Sequence, residues 1–191
     1  MTQKIIAVVN QKGGVGKTTT AINVAAQLAG AKATVLLLDL DPQGNATSGL
    51  GIPKDSAVQT AYTVLTAGVP VSSAVQETHV AKLFVLPANA HLAGAEVELV
   101  NRPQREFFLK QALATPLFDY VLIDCPPSLG LLTINALTAA SHVLIPVQAE
   151  YYALEGLSQL MNTVQAVRVS TNPQLNLLGI VLTMFDKRNS L

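Results

Sequence analysis

The chain has 191 residues, half of them hydrophobic, and twelve Lys and Arg residues balance twelve Asp and Glu residues. This length allows one domain with a large buried core, and the balanced charge excludes a global field that would draw the protein onto nucleic acid or an acidic membrane. The single cysteine, Cys125, excludes an intrachain disulfide and a cysteine-built metal cage within one chain, and it is typical of a reducing cytoplasm.

Short apolar runs alternate along the chain with segments of helical periodicity. Because continuous apolar runs of this length are typical of strands covered on both faces, we predict an α/β fold with a doubly wound, mostly parallel sheet. Helices are predicted at residues 18–29 and around residues 154–167, and two more between residues 89 and 116. Residues 42–76 are rich in Gly, Ser, Thr and Ala and show the weakest indication of helices or strands. The six predicted strands are residues 5–9, 33–39, 82–87, 119–124, 142–147 and 178–184.

No segment indicates a signal peptide or a membrane span. The N-terminal apolar run is too short and lacks a small-residue cleavage site. The longest uncharged stretch, residues 125–149, is long enough to span a bilayer, but Pro126, Pro127 and Pro146 interrupt it. We therefore interpret it as strand, helix and strand, and expect no membrane association.

The first predicted strand leads into "NQKGGVGKTTT" at residues 10–20. An ordinary phosphate-binding loop has Gly, four residues, Gly, Lys and then Ser or Thr between a strand and a helix. Gly16, Lys17 and Thr18 match this pattern, whereas Gln11 stands at the first glycine position and Lys12 has no role in the pattern. Lys17 is expected to bridge the β- and γ-phosphates and the Thr18 hydroxyl to ligate Mg²⁺.

Two predicted strands end in acidic residues, as a triphosphate site requires. "VLID" ends at Asp124, which is expected to hold a Mg²⁺-bound water. "LLLDLDPQGN" supplies Asp39, expected to support the site or the fold, and Asp41, expected to orient the attacking water. Asp41 is also a candidate to reach the metal through water.

The segments that would recognise the γ-phosphate and the base differ from those of a GTPase. After Asp124 the sequence reads "CPPSLG", in which Pro127 has no amide to offer a γ-phosphate and Gly130 marks the far end of the loop. Residues 183–186, "TMFD", stand where guanine recognition would require Asn-Lys-x-Asp. ATP is therefore favoured over GTP.

The scattered histidines and the cysteine are interpreted as structural. His79, His91 and His142 have no metal-ligand spacing, and Cys125 is expected to be a small buried residue beside the site.

Four longer stretches carry a family resemblance: "KGGVGKTTT", "DLDPQGNATSGLG", "IDCPPSLGLLTINAL" and "PVQAEYYALEGLSQL". The sequence resembles the ParA/Soj family of chromosome and plasmid partitioning ATPases, which carry a deviant Walker A motif and belong with MinD to the SIMIBI class of P-loop NTPases. The match extends over essentially all 191 residues.

The resemblance implies a slow, partner-stimulated, Mg²⁺-dependent ATP hydrolase that dimerises on ATP, binds DNA nonspecifically and is reset by hydrolysis. It implies a ParB/Spo0J-like partner and a cytoplasmic, nucleoid-associated location. In the family, the lysine that matches Lys12 crosses the dimer interface to the partner's nucleotide, Asp124 matches the Walker B acid, and Arg188 matches an arginine that contacts DNA. The implied catalytic residues are Lys12, Lys17, Asp41 and Asp124, and the implied nucleotide-binding residues are Lys12, Gly13, Gly14, Val15, Gly16, Lys17, Thr18 and Thr19.

Family members continue past this point with a Pro-Arg-Asn loop that holds adenine and with further basic residues. We therefore expect residues 1–191 to form a single P-loop ATPase domain that lacks its C-terminal part. A MinD-like, membrane-cycling ATPase that positions cell division is the alternative, and a nucleotide-gated binding module without turnover is another. A nitrogenase-iron-protein-like electron carrier needs two cysteine ligands per subunit and is excluded by the single Cys125.

Overall fold

The computed structural model describes residues 3–55, 58–150 and 153–185, without the side chains of residues 153–155. In chain order the elements are β1 (Lys4–Val8), α1 (Lys17–Gly30), β2 (Val35–Asp39), α2 (Asn45–Gly49), α3 (Ala61–Ala67), α4 (Val71–Ala74), β3 (Gln76–Glu77), β4 (Leu83–Leu86), α5 (Leu92–Leu99), a 3₁₀ turn (Arg105–Phe107), α6 (Phe108–Ala112), β5 (Tyr120–Asp124), α7 (Leu131–Ala139), β6 (His142–Gln148), α8 (Ala153–Ser170) and β7 (Asn176–Thr183).

The strands form one sheet in the order β3-β4-β2-β5-β1-β6-β7. Every neighbouring pair is parallel except β3 with β4. All six predicted strands are present, and the two helices expected between residues 89 and 116 are α5 and α6. Strand β3 was not predicted, because two residues are too few to show a period. The segment 42–76 contains the short helices α2, α3 and α4.

Helices cover both faces of the sheet, as the sequence predicts. Leu36 and Leu38 of β2 face a core formed with α3, α5, α7 and α8, whereas Val35 and Leu37 face a core formed with α1 and α2. Helix α1 buries Ala21, Ala25 and Ala29, and these small side chains recur at a spacing of four residues that places them on one helical face. The doubly wound α/β prediction is confirmed.

Strand β7 departs from the expectation that every strand is covered on both faces. It lies at the edge of the sheet, and Leu178 and Leu182 are 52% and 60% exposed. Apolar runs indicate a strand but do not distinguish a central strand from an edge strand, since that depends on what packs beside it.

Candidate functional site

Three strands meet at the site through their carboxyl ends. Asp124, the last residue of β5, is in register with Val8 of β1 on one side and with Asp39 of β2 on the other. Ligands of open α/β sheets bind outside the carboxyl ends of the strands. The register therefore places the predicted Walker B acid directly beside the start of the phosphate-binding loop.

The loop between β1 and α1 has the backbone of an anion-binding turn. Gly14 and Gly16 adopt φ values of 76° and 85°, which disfavour residues with a side chain. Lys17 folds back so that its Nζ donates to the carbonyl oxygen of Lys12 at 2.9 Å. Val15 is buried, and its carbonyl oxygen accepts a hydrogen bond of 2.8 Å from the Thr183 hydroxyl.

Side-chain contacts attach the first part of the loop to β6, the strand beside β1, and to α8. Asn10 Nδ2 donates to the carbonyl oxygen of Pro146 at 2.7 Å, and Asn10 Oδ1 accepts from the Lys12 amide at 3.0 Å. Gln11, which replaces the usual first glycine, donates through Nε2 to Gln159 Oε1 on α8 at 3.1 Å. Position 11 therefore carries a side chain that connects the loop to α8.

The Lys12 side chain is half exposed at the surface and does not line the cavity formed by the loop. Its Nζ forms an ion pair of 2.8 Å with Glu150 Oε2, and the two side chains are 48% and 45% exposed. Ion pairs this exposed contribute only about 0 to 1 kcal/mol. Lys12 is therefore held weakly at the surface beside the loop.

A cavity of about 340 Å³ opens in front of the loop. Its lining includes most of the predicted nucleotide-binding residues, but Lys12 and Val15 do not line it. It also includes four residues that were not predicted to bind. The predicted lining residues are Gly13, Gly14, Gly16, Lys17, Thr18, Thr19 and Asp41, and the additional ones are Gln43, Asn45, Pro127 and Met184. The "DPQGN" run was a signal for Gln43 and Asn45, since it follows a strand that ends at this edge.

Asp124 is a buried carboxyl without a partner. It is completely buried, and neither of its oxygens has a hydrogen-bond partner among residues 3–55, 58–150 and 153–185. Burial, together with the charges of Asp39 and Asp41, raises the pKa of Asp124 to about 7, although the nearby Thr18 hydroxyl and Lys17 ammonium act in the opposite direction. Burial likewise lowers the pKa of Lys17, while Asp124 and Asp41 act in the opposite direction.

These residues fit a Mg²⁺ ion bound together with phosphates. An unpartnered, buried carboxylate beside the first turn of α1 is suited to accept from metal-bound water, and Thr18 can supply a hydroxyl ligand. In the part of the chain that the structure describes, no group of three or more His, Cys, Asp or Glu side chains could hold a metal ion.

Comparisons with known proteins agree with this geometry. The profile of a family described as an AAA domain matches residues 3–177. The chromosome partitioning protein ParA of Myxococcus xanthus is 58% identical over 188 residues, which are 97% of this chain and 66% of that protein. The sporulation initiation inhibitor protein Soj of Bacillus subtilis is 57% identical over 190 residues, which are 98% of this chain and 75% of that protein. The chain belongs to the ParA/Soj family.

A solved structure with a bound nucleotide has the same fold. It is a cobyrinic acid a,c-diamide synthase from Mycobacterium smegmatis with bound ATP analog and magnesium. It is 46% identical with a TM-score of 0.95, and the match covers 98% of this chain and 75% of that chain. The P-loop NTPase prediction is thereby confirmed. This ParA/Soj chain spans 66% of the length of the M. xanthus relative and 75% of the length of the B. subtilis relative.

Asp39 has the supporting role that the sequence left open. It is completely buried, and its Oδ2 accepts from the amide and the hydroxyl of Thr47 at 2.8 and 2.7 Å. Its Oδ1 accepts from the Asp41 amide at 3.2 Å, and the Thr47 hydroxyl accepts from the Ala88 amide at 2.9 Å. Burial raises the pKa of Asp39 although these bonds from Thr47 oppose the shift. Asp39 thus holds Asp41 and the start of α2 in place.

Replacing Thr47 with Val tests this network. The Thr47→Val variant removes one bond to a buried carboxylate and leaves the Ala88 amide unpaired. We expect a loss of about 2 to 3 kcal/mol in the free energy of unfolding, measured by urea titration. Thr47→Ser keeps the hydroxyl and is expected to lose less than half as much. Equal losses in the two variants would contradict a role for the hydroxyl.

Two further sequence predictions concern Cys125, which follows Asp124 in the chain, and Arg188. Cys125 is buried, as predicted, and burial raises the pKa of its thiol well above the ordinary value. Arg188, the candidate DNA-contacting residue, lies outside the described residues. Within the described ranges no helix is long and apolar enough to cross a membrane.

Proposed function

We propose that this protein is an ATP-dependent DNA partitioning ATPase whose nucleotide-bound form dimerises at the phosphate-binding loops, binds DNA nonspecifically and is reset by hydrolysis. The observation that carries the proposal is a buried Asp124, with no hydrogen-bond partner among the described residues, beside a loop whose Lys17 and Thr18 line one cavity with Asp41. The identity of 57–58% to a chromosome partitioning protein ParA and to a protein named Soj supports the biological part of the proposal.

ATP and Mg²⁺ are the proposed cofactors. The related M. smegmatis structure holds an ATP analog and magnesium, and the residues at positions 183–186 lack a guanine-recognition motif. When bound, Mg²⁺ would neutralise charge on the phosphate oxygens. Thr18 would hold it through the hydroxyl, and Asp124 would accept from a bound water.

The chain's own residues would carry hydrolysis by positioning and by charge. Lys17, which lines the cavity, would exchange its bond to the Lys12 carbonyl for phosphate oxygens. Asp41 Oδ1 accepts from the Gln43 amide at 2.9 Å, so its carboxylate has a defined orientation in the cavity wall. Asp41 would orient the attacking water, because positioning and charge stabilisation account for most of phosphoryl transfer.

Lys12 would act on the nucleotide of the second subunit. Among the described residues its exposed ammonium is held by the surface ion pair with Glu150, so little free energy opposes its movement. A lysine enclosed between two nucleotides would offset the repulsion between their phosphates far better than one in bulk water.

The proposed partners are a ParB/Spo0J-like protein and DNA. A ParB/Spo0J-like protein would stimulate hydrolysis, and DNA binding would place the protein on the nucleoid in the cytoplasm. Because the chain has no net charge, DNA contacts would come from a local basic patch, to which Arg188 would contribute. The MinD-like alternative is not favoured, since the curated relatives described above carry the names ParA and Soj. An ATPase assay distinguishes an enzyme that hydrolyses ATP from a nucleotide-gated binding module that does not.

The Asp41→Ala variant tests dimerisation. Without the residue that orients water, hydrolysis should fall roughly a hundredfold, and ATP with Mg²⁺ should trap a dimer that light scattering detects. ADP should leave the protein monomeric. The control is Asp55→Ala, which changes an exposed aspartate outside the cavity lining and should keep wild-type turnover. If Asp41→Ala bound ATP and stayed monomeric, the proposed sandwich of two nucleotides would be wrong.

A further inference from the structure

Helix α7 receives its N-terminal cap from another element. Glu96, on α5, accepts a hydrogen bond through Oε1 from the Leu132 amide at 3.2 Å. The first turn of α7 contains no acidic residue, and its own N-cap residue, Gly130, makes no side-chain cap. A carboxylate here pairs with one of the free amides of the helix and lies at the positive end of its dipole.

Gly130 has the residue type that this contact requires. Its φ of −75° and ψ of −170° suit any residue, so the backbone does not require glycine. A Cβ added at Gly130, however, would overlap Glu96 Oε1. Glycine at this position therefore serves the approach of Glu96 and not the conformation of the turn.

The capped end belongs to the loop that begins at the Walker B acid. Residues 125–130 connect Asp124 to α7, and Pro127 of this loop lines the phosphate cavity. The loop is also attached to α7 by the Thr133 hydroxyl, which donates to the Ser128 carbonyl at 2.6 Å. Its near end is fixed by β5, and its far end is fixed where Glu96 binds.

We propose that Glu96 is a positioning residue for ATP hydrolysis, which acts by fixing the far end of the 125–130 loop and thereby the place of Pro127 at the cavity. This inference rests on the proposed function. Glu96 does not line the phosphate cavity, so its effect on catalysis passes through α7 and the loop. The loop that would face a γ-phosphate is thus held in part by helix α5.

The test compares Glu96→Ala with Glu96→Gln in the full chain. Glu96→Ala should lower kcat about three- to tenfold, as expected for the loss of one charge-assisted cap, while ADP affinity stays within about twofold because the 12–19 loop is untouched. Without nucleotide, the amides of residues 128–132 should exchange hydrogen faster in Glu96→Ala. Glu96→Gln keeps an acceptor and should recover most of kcat and of the protection.

Glu98→Ala is the matched control. Glu98 lies on the same helix but binds the Tyr62 hydroxyl at 2.7 Å, away from the loop. It should leave kcat and the exchange of residues 128–132 unchanged. In a double-mutant cycle, Gly130→Ala should slow turnover in the wild type and have little effect in the Glu96→Ala background, because the displaced carboxylate is already gone.

Failure of the positioning role and failure of the proposed function give different results. If wild-type protein hydrolyses ATP and Glu96→Ala matches it in kcat and in exchange, the positioning role is wrong. It is equally wrong if Glu96→Ala and Glu98→Ala lose the same activity. If wild-type protein neither binds nor hydrolyses ATP, the proposed function fails, and the exchange measurement still tests the contact.

Discussion

The Asp124→Asn variant is expected to be more stable than the wild type at about pH 8 in the absence of nucleotide and Mg²⁺, by about 2 to 4 kcal/mol. The same substitution should remove Mg²⁺-dependent ATP hydrolysis. The reason for the first effect is that Asp124 is buried with neither oxygen hydrogen-bonded to a described residue, and burial, together with the charges of Asp39 and Asp41, raises its pKa from 3.8 to about 7. The folded state therefore disfavours the charged carboxylate.

The raised pKa of Asp124 determines how the stability of the wild type changes with pH. Because the folded pKa is above the unfolded one, the folded protein binds the proton more tightly, and wild-type stability falls as pH rises from about 4 to about 7. Asn does not titrate. The difference between variant and wild type should therefore be small near pH 4, grow through this window and level off above about pH 7.

Urea unfolding at a series of pH values measures the effect. Asp119→Asn is the control of opposite sign, since hydrogen bonds from Thr34 lower the pKa of Asp119. That substitution should destabilise the protein, and its effect should shrink as pH falls through the lowered pKa. A gain for Asp124→Asn that does not change with pH would contradict an electrostatic cause. Retained Mg²⁺-dependent turnover would contradict the assignment of Asp124 to the metal site.

The Lys12→Ala variant is expected to abolish ATP-dependent dimerisation while nucleotide binding by the monomer changes less than about threefold, since the Lys12 side chain forms an exposed ion pair and does not line the cavity. Lys17→Ala should instead weaken nucleotide binding by about a hundredfold or more, because Lys17 lines the cavity and would contact the phosphates directly. The two lysines of one loop are thus expected to affect different steps.

Binding of a fluorescent ATP analogue and light scattering measure the two steps separately. Lys110→Ala, which removes a lysine on α6 outside the cavity lining, should leave both unchanged. The loss of the Lys12 ion pair should cost less than about 1 kcal/mol of stability, so unfolding cannot account for lost dimers. If Lys12→Ala lost nucleotide binding and dimerisation to the same degree, Lys12 would act on the nucleotide of its own subunit.

Sequence reasoning predicted the sheet and the loop because both depend on neighbouring residues. Apolar runs of five to seven residues mark the six longer strands, and the glycines and lysine of residues 13–17 specify a phosphate loop within a few positions. Strand β3 escaped prediction because two residues show no period. Burial of β7 was expected and is not observed, because its position at the edge depends on the whole sheet.

Several side-chain contacts around the candidate site join residues that are far apart in sequence. Lys12 and Glu150 are 138 positions apart, and Glu96 and Leu132 are 36 apart. The sequence by itself determined the family resemblance, the phosphate loop and the acids at the strand ends, since these are local patterns of residue type. Only the tertiary structure decided that Asp124 has no hydrogen-bond partner among the described residues, that the Ala88 amide joins the Asp39–Thr47 network, and that Glu96 caps α7. Burial, pKa and side-chain pairing depend on which distant segments pack together, and no local pattern records that.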